Sequence, residues 1–312
     1  MARQISTTSF RRLGLRSPGV RLDHLDRKRV FFSTGSRLSG LPPSLEASEM
    51  SLSEQPHHVS HIVEELRRYG ILQISLKFLD NNSRYLRQLL LGFHQNHGHR
   101  LPIAHSATCG WFWDIRPSTA SFQSAIYQAR SETMDPFPWH TDCSYEEQPP
   151  RYFALQVIRP DRCGGGTFSL LDVRMLSLAL SPTTKAALRR REYLIRTPPE
   201  FIKDPMRQSL VGSILEAGEG GLSDNALMRY RGDLVTPLSE EGARALKELK
   251  DILWNESLIS TMVLSLSSAK MAEGSILLVD NRRWLHSRTN IQDPMRHLRR
   301  VRWDAAPFHD ST

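Results

Sequence analysis

His140 and Asp142 stand two residues apart in Trp139-His140-Thr141-Asp142, and His286 lies far down the chain in Asp280-Asn281-Arg282-Arg283-Trp284-Leu285-His286. On an extended strand, residues two apart project from the same face, so His140 and Asp142 can grip one metal ion together. A third donor must then come from a distant segment, and His286, just behind the apolar run Ser275-Ile276-Leu277-Leu278-Val279, is the candidate. That requirement constrains the fold more than any other feature. It obliges two segments widely separated in sequence to become neighbours, with one side of the metal left open.

The segments around this pattern read mostly as strands. Val59, Ile62, Val63 and Leu66 fall at helical spacing ahead of Gly70, and 71–76 follows as a short strand. Asn81-Asn82-Ser83 supplies the cap of a second helix through Phe93, with Leu86, Leu89 and Leu90 on its buried side. Residues 151–158 and 167–173 read as strands joined by Gly164-Gly165-Gly166, since glycine permits backbone conformations that other residues resist. Ser181-Pro182 opens a helix to about Arg190, and 208–215 with 226–231 reads as a hairpin around a Gly-rich loop. An amphipathic helix from Ser239 to about Trp254 and strands at 276–279 and 298–303 complete the pattern. Many strands, with helices at the front and in one insertion, predict a mainly β fold with flanking helices. Its core is expected to be a double-sheet jelly roll rather than a parallel α/β sheet.

At 312 residues the chain suits one larger domain, here 56–312, behind an extension over 1–55. The formal charge of +8 invites a nucleic-acid partner, but residues 1–40 hold eight Arg and one Lys against two Asp, which leaves the body nearly neutral. A small-molecule partner is expected, and neither nucleic acid nor membrane, because the apolar runs are too short to span a bilayer. Met1 to Leu22 hold five Arg, several Ser and Thr and no acid, the composition of a mitochondrial presequence or of a plain basic extension; Arg29-Val30-Phe31-Phe32-Ser33-Thr34 resembles a matrix-processing site, and Gly35 to Gln55 reads as linker. Cys109, Cys143 and Cys163 are odd in number, which argues for a reducing compartment. The expected location is intracellular, in the cytoplasm or the mitochondrial matrix, and not secreted.

His-x-Asp alone is a weak signal, since His24-Leu25-Asp26 matches it equally well in a charged segment with no fold around it. His94, His97 and His99 lie in a polar segment without a nearby carboxylate or Cys and read as a solvated loop. Trp111, Trp113, Arg116, Tyr145 and Arg151 are candidates to line a substrate cavity. Arg296 and Arg300, four apart, share a face on a strand with Leu298 and Arg302, while Arg299 and Arg302 read as a solvated strand edge.

Two His and one carboxylate around an open side are the arrangement of non-heme Fe(II) oxygenases. Together with Gly164-Gly165-Gly166-Thr167, Asp280-Asn281 and Arg296-x-x-x-Arg300, the motif resembles the taurine dioxygenase-like (TauD/TfdA) family of Fe(II)/2-oxoglutarate-dependent dioxygenases over about residues 60–305. The resemblance implies a double-stranded β-helix that uses O2 and 2-oxoglutarate and releases succinate and CO2. It implies His140, Asp142 and His286 as iron ligands, Thr167 as a hydrogen-bond partner of 2-oxoglutarate, and Arg296 on its far carboxylate. Arg300 stands where some members hold an anionic substrate group, and the spacing from His286 leaves the roles of Arg296 and Arg300 open to exchange. Hydroxylation or desaturation of a secondary metabolite or an amino-acid-like acid is expected. A carboxylate at position 142 argues against halogenation. A zinc hydrolase with the same ligands, which gives no reason for Thr167 and Arg296, and a non-catalytic jelly-roll binding protein are the alternatives.

Overall fold

The computed structural model describes residues 41–104, 110–117, 128–218 and 226–308, so the expected presequence lies outside the described residues. The strands preceding the insertion are β1 (Ser44–Ala47), β2 (Ile71–Leu76), β3 (Trp113–Ile115), β4 (Phe137–His140), β5 (Pro150–Arg159) and β6 (Phe168–Asp172). The insertion carries β7 (Tyr193–Arg196), β8 (Ser209–Gly212), β9 (Leu215–Glu216), β10 (Leu227–Met228) and β11 (Val235–Pro237). After it come β12 (Val263–Leu266), β13 (Ser275–Asp280), β14 (Trp284–Arg288) and β15 (His297–Ala305). The helices are α1 (Pro56–Tyr69), α2 (Arg84–His97), α3 (Val173–Ala179), α4 (Pro182–Leu188), α5 (Glu240–Trp254) and α6 (Glu256–Ile259).

Two sheets form the body. One has six strands in the order β1-β2-β13-β5-β15-β3, and the other has four in the order β12-β6-β14-β4. The run at 276–279 is apolar without a break because β13 is covered on both sides. Ile276 and Leu278 pack with Ile62, Leu66 and Leu89 of the helices, whereas Leu277 and Val279 pack with Phe168, Leu170 and Trp284 of the other sheet. A third cluster lies in the insertion, where Leu246 and Leu249 of α5 meet Tyr193 and Ile195. No helix among the described residues is long and apolar enough to cross a membrane.

Local chemistry accounts for most element ends. Gly70 ends α1 at a left-handed φ of 69°, and a Cβ there would lie 2.9 Å from the Trp284 ring nitrogen. At α2 the cap differs from the expected Asn81-Asn82-Ser83, for Ser83 makes no side-chain cap and Asp80 accepts from the amides of Arg84 (2.8 Å) and Tyr85 (2.9 Å) instead. The linker reading also needs correction. β1 pairs in parallel with β2 and buries Ala47, so the body begins by residue 44, before the expected boundary at 56. The hairpin expected around the Gly-rich loop is divided: β8 pairs with β7, and only the short β9 pairs with β10.

Two histidines under the helical layer make stability sensitive to pH. Burial, aided by the charges of His57 and His61, holds His58 below the ordinary imidazole range while its Nε2 lies 2.6 Å from the Tyr85 hydroxyl. Burial likewise lowers His99, whose Nδ1 accepts from Trp303 at 3.1 Å. Both values lie below that of the unfolded chain, which therefore takes up protons first. Their contribution is complete above the unfolded value of about 6.5 and is lost as pH falls below it. Calorimetry between about pH 7 and about pH 5.5 should show a falling melting temperature, with a shallower fall in His58→Gln and His99→Gln. A melting temperature that rises on acidification would contradict this.

Candidate active site

β4 ends at His140 and the chain turns at once, with Cys143 at a left-handed φ of 54°. Asp142 thus reaches His140 through a turn and not, as the spacing suggests, across one face of a strand. Asn281 builds that turn: its Oδ1 accepts from the Asp142 amide at 2.7 Å, and its Nδ2 donates to the carbonyls of Asp142 and Pro150, both at 2.9 Å. Because Asn281 directly follows the doubly covered β13, the clamp is anchored to the core. The distant histidine arrives by sheet register. β14 runs antiparallel to β4 with His286 opposite His140, and their ring centroids are 4.1 Å apart.

One ligand atom from each of His140, Asp142 and His286 lies within 4.8 Å of the others, and all three residues are buried. Asp142 Oδ1 faces His140 Nε2 at 3.8 Å and His286 Nε2 at 3.6 Å, while Oδ2 accepts from Arg300 Nη1 at 2.9 Å. His140 Nδ1 is 2.7 Å from the Pro138 carbonyl, which places the ring proton there and leaves the Nε2 lone pair free. His286 Nδ1 has no such partner among the described residues. Phe137 stacks on His140 at 3.6 Å, and Phe153 stands 4.8 Å from His286. Burial and the neighbouring His286 hold His140 far below the usual imidazole range, in the neutral form a metal ligand requires. Burial opposes the charge on Asp142, yet Arg300 and His286 prevail and keep its carboxyl well below the usual carboxylate range.

The three donors open on an inner hollow walled by Phe153, Leu155 and Leu298, with Arg296 along it. Arg296 is only 5% exposed, pairs with no carboxylate among the described residues, and leaves its Nη1 without an acceptor. Burial brings its pKa down to about 10, so it remains charged at neutral pH. The glycine turn lets this side chain pass: a Cβ on Gly166 would lie 3.2 Å from Arg296 Nε, and one on Gly165 would lie 2.6 Å from the Gln292 amide nitrogen. Arg288 spends its donors on the carbonyls of Ser131 (3.1 Å) and Thr133 (2.9 Å). The open space is tight, about 40 Å³. That is room for a few water molecules, so a five-carbon diacid enters only if long side chains swing aside.

The remaining candidates divide. Trp113 stacks under Arg300 at 4.7 Å and donates to Glu132 at 2.7 Å. Tyr145 lines an outer hollow that shares Phe137, His140, Asp142 and Arg300 with the inner one. Thr167 lines neither; its backbone amide donates to the Thr289 hydroxyl at 3.0 Å where β6 and β14 meet. Trp111 packs on the α2 side beneath Arg87, Arg116 is exposed, and Arg151 lies over Tyr152 beside Asp280; none of these three lines either hollow. Arg302, read from sequence as a solvated edge, lines the outer hollow instead. The alternation Leu298, Arg300, Arg302 on one strand was the signal for it.

The model of the family described as taurine catabolism dioxygenase TauD, TfdA family matches residues 38–302. No curated protein sequence matches the chain. Among solved structures, an asparagine oxygenase in complex with Fe(II), 2S,3S-3-hydroxyasparagine and succinate is 15% identical, covers 84% of this chain and 93% of its own, and has a TM-score of 0.63. The non-heme iron oxygenase OrfP in complex with Fe and alpha-ketoglutaric acid is 16% identical over 83% and 93%, with a TM-score of 0.57. A taurine dioxygenase from Burkholderia xenovorans is 16% identical over 85% and 89%, at 0.60. At these identities the likenesses speak for the fold, a jelly roll of two sheets.

Asn281→Ala removes three buried hydrogen bonds and frees the turn that aims Asp142. Thermal or denaturant unfolding should show a loss of about 2–3 kcal/mol, and a Co(II) titration should show affinity weakened by roughly 10- to 100-fold. An unchanged Co(II) affinity would mean that Asn281 does not position the carboxylate.

Proposed function

The chain belongs to the TauD/TfdA family of Fe(II)/2-oxoglutarate-dependent dioxygenases, and from that premise we propose that His140, Asp142 and His286 hold the iron while Arg296 takes the far carboxylate of 2-oxoglutarate. The observation that carries this reading is the convergence of two imidazole Nε2 atoms on one carboxylate oxygen, beside a buried guanidinium whose Nη1 has no acceptor among the described residues. The donor set fits iron, since two imidazoles and one carboxylate leave coordination positions for cosubstrate and O2. When bound, iron with 2-oxoglutarate and O2 supplies an oxidant strong enough to remove hydrogen from an unactivated carbon.

The protein's own residues do the rest. Arg300, tied to Asp142 Oδ2, keeps Oδ1 turned toward the imidazoles, so of the two arginines it is Arg296 that is free to receive the cosubstrate. Phe137, Phe153 and Phe168 wall the donors and limit water. The substrate is a small organic molecule, hydroxylated or desaturated as 2-oxoglutarate yields succinate and CO2. Structural neighbours bound to 3-hydroxyasparagine and to (3S)-hydroxy-L-Arg support an amino-acid-like acid over a larger secondary metabolite.

Purified protein with Fe(II), 2-oxoglutarate and O2 should form succinate across a panel of amino acids and related acids. Arg296→Gln should raise the KM for 2-oxoglutarate by roughly 30- to 100-fold, the worth of a charge-assisted bond, with little change in iron affinity. Arg300→Gln should chiefly weaken iron binding. Succinate formation that does not depend on Fe(II), or the two variants exchanging effects, would contradict the assignment.

A further inference from the structure

β15 sets arginines at successive depths. Leu298, Arg300 and Arg302 alternate onto one face of the strand, where Arg300 registers with Leu155 of β5 and Arg302 with Phe153. A two-residue step on a strand is about 6.7 Å, so Arg302 stands that far outward from Arg300, in the outer hollow. The cations around it are not equivalent. Arg300 is held by Asp142 at 2.9 Å and stacked on Trp113. Arg231 is forked onto Asp233 with two contacts of 3.0 Å, and Arg130 lies 3.9 Å from the same carboxylate.

Arg302 has no such partner. Among the described residues its one hydrogen-bond acceptor is the Cys143 sulfur, a poor acceptor for a guanidinium with five donors. The two acids whose charges reach it, Asp142 and Glu146, are already taken by Arg300 at 2.9 Å and Lys203 at 3.4 Å. Beside it Tyr145 and Phe201 stack nearly parallel, with centroids 5.5 Å apart. This aromatic pair stands between the outer hollow and a surface groove of about 470 Å³ whose charged lining is mixed, Glu146, Glu147 and Asp204 with Lys203 and Arg207. A molecule arriving from the groove therefore meets the Tyr145–Phe201 pair, then the Arg302 guanidinium with donors to spare, and then the His140–Asp142 pair.

We infer that Arg302 holds an anionic group of the substrate, a carboxylate or another anion of like charge, while the apolar body of that molecule lies against Tyr145 and Phe201. This rests on the reading of His140, Asp142 and His286 as the iron site, and it narrows the substrate to small organic acids with an apolar or aromatic body. It also moves anion recognition two residues beyond Arg300, which Asp142 has already engaged. At Arg302 itself a cationic group is disfavoured, since it would meet like charge.

The test uses the full chain, held anaerobically with Fe(II) and saturating 2-oxoglutarate so that Arg296 is occupied. Benzoate, phenylacetate and hexanoate, each paired with its carboxamide and its sulfonate analogue, are titrated while tryptophan fluorescence and the visible absorption of the Fe(II)/2-oxoglutarate complex are followed. At least one acid should bind roughly 10- to 100-fold more tightly than its amide, the worth of one charge-assisted pair. Arg302→Gln should abolish that preference, Arg302→Lys should keep part of it, and both should bind 2-oxoglutarate as the wild type does. Acids and amides that bind alike in the wild type, or a preference that survives in Arg302→Gln, would overturn the subsite alone. Failure of the wild type to bind 2-oxoglutarate with Fe(II) would overturn the iron-site reading beneath it.

Discussion

A buried carboxylate whose two oxygens face different partners organises this molecule. Asp142 is 5% exposed, presents Oδ1 to His140 and His286, and gives Oδ2 to Arg300. Leaving such a charge unpaired in the interior costs several kcal/mol, about 3–5 when one partner of a buried pair is removed. The surroundings therefore have little freedom. Asn281 fixes the backbone, Trp113 supports Arg300, and β14 must sit in the one register that sets His286 across from His140. With Asp142 matched by Arg300, the inner hollow retains the unmatched charge of Arg296, in a place where salt screens poorly.

One strand relates the two hollows. Arg296 lies just before β15, and Leu298, Arg300 and Arg302 follow on it, so a single extended segment spaces three guanidinium groups along the path from the inner hollow to the outer one. Alternation on that strand sends Val301 and Trp303 to the opposite side, under α1 and α2, which holds the ruler in place. The glycine turn completes the arrangement from the other sheet. It carries the chain from β5 to β6; at Gly165 the backbone of Asn290 and Gln292 comes too close for a side chain, and Gly166 takes a left-handed φ of 64° beside Arg296.

Much of this was legible in the residues. The run at 276–279 announced a strand, Gly70 announced the end of α1, and Ser239 the start of α5. What was not legible depends on partners far away in sequence. Nothing near Asn281 says that its amide will clamp Asp142, and nothing near Arg288 says that its donors will go to Ser131 and Thr133. Spacing put His140 and Asp142 on one strand face, but the chain turns after His140 and brings them together another way. Trp111, Arg116 and Arg151 were chosen for chemistry suited to a cavity, and strand direction and helix packing sent them elsewhere. Arg302 reads as a strand edge because the sequence does not show that Ala129, Arg130, Ser131 and Phe137 close a hollow around it.

The most direct measurement is a crystal structure grown anaerobically with Fe(II) and 2-oxoglutarate. The account predicts one iron on His140 Nε2, His286 Nε2 and Asp142 Oδ1, with the far carboxylate of 2-oxoglutarate on Arg296 and Arg300 still on Asp142 Oδ2. Iron bound elsewhere, or the far carboxylate on Arg300 with Asp142 released, would contradict it.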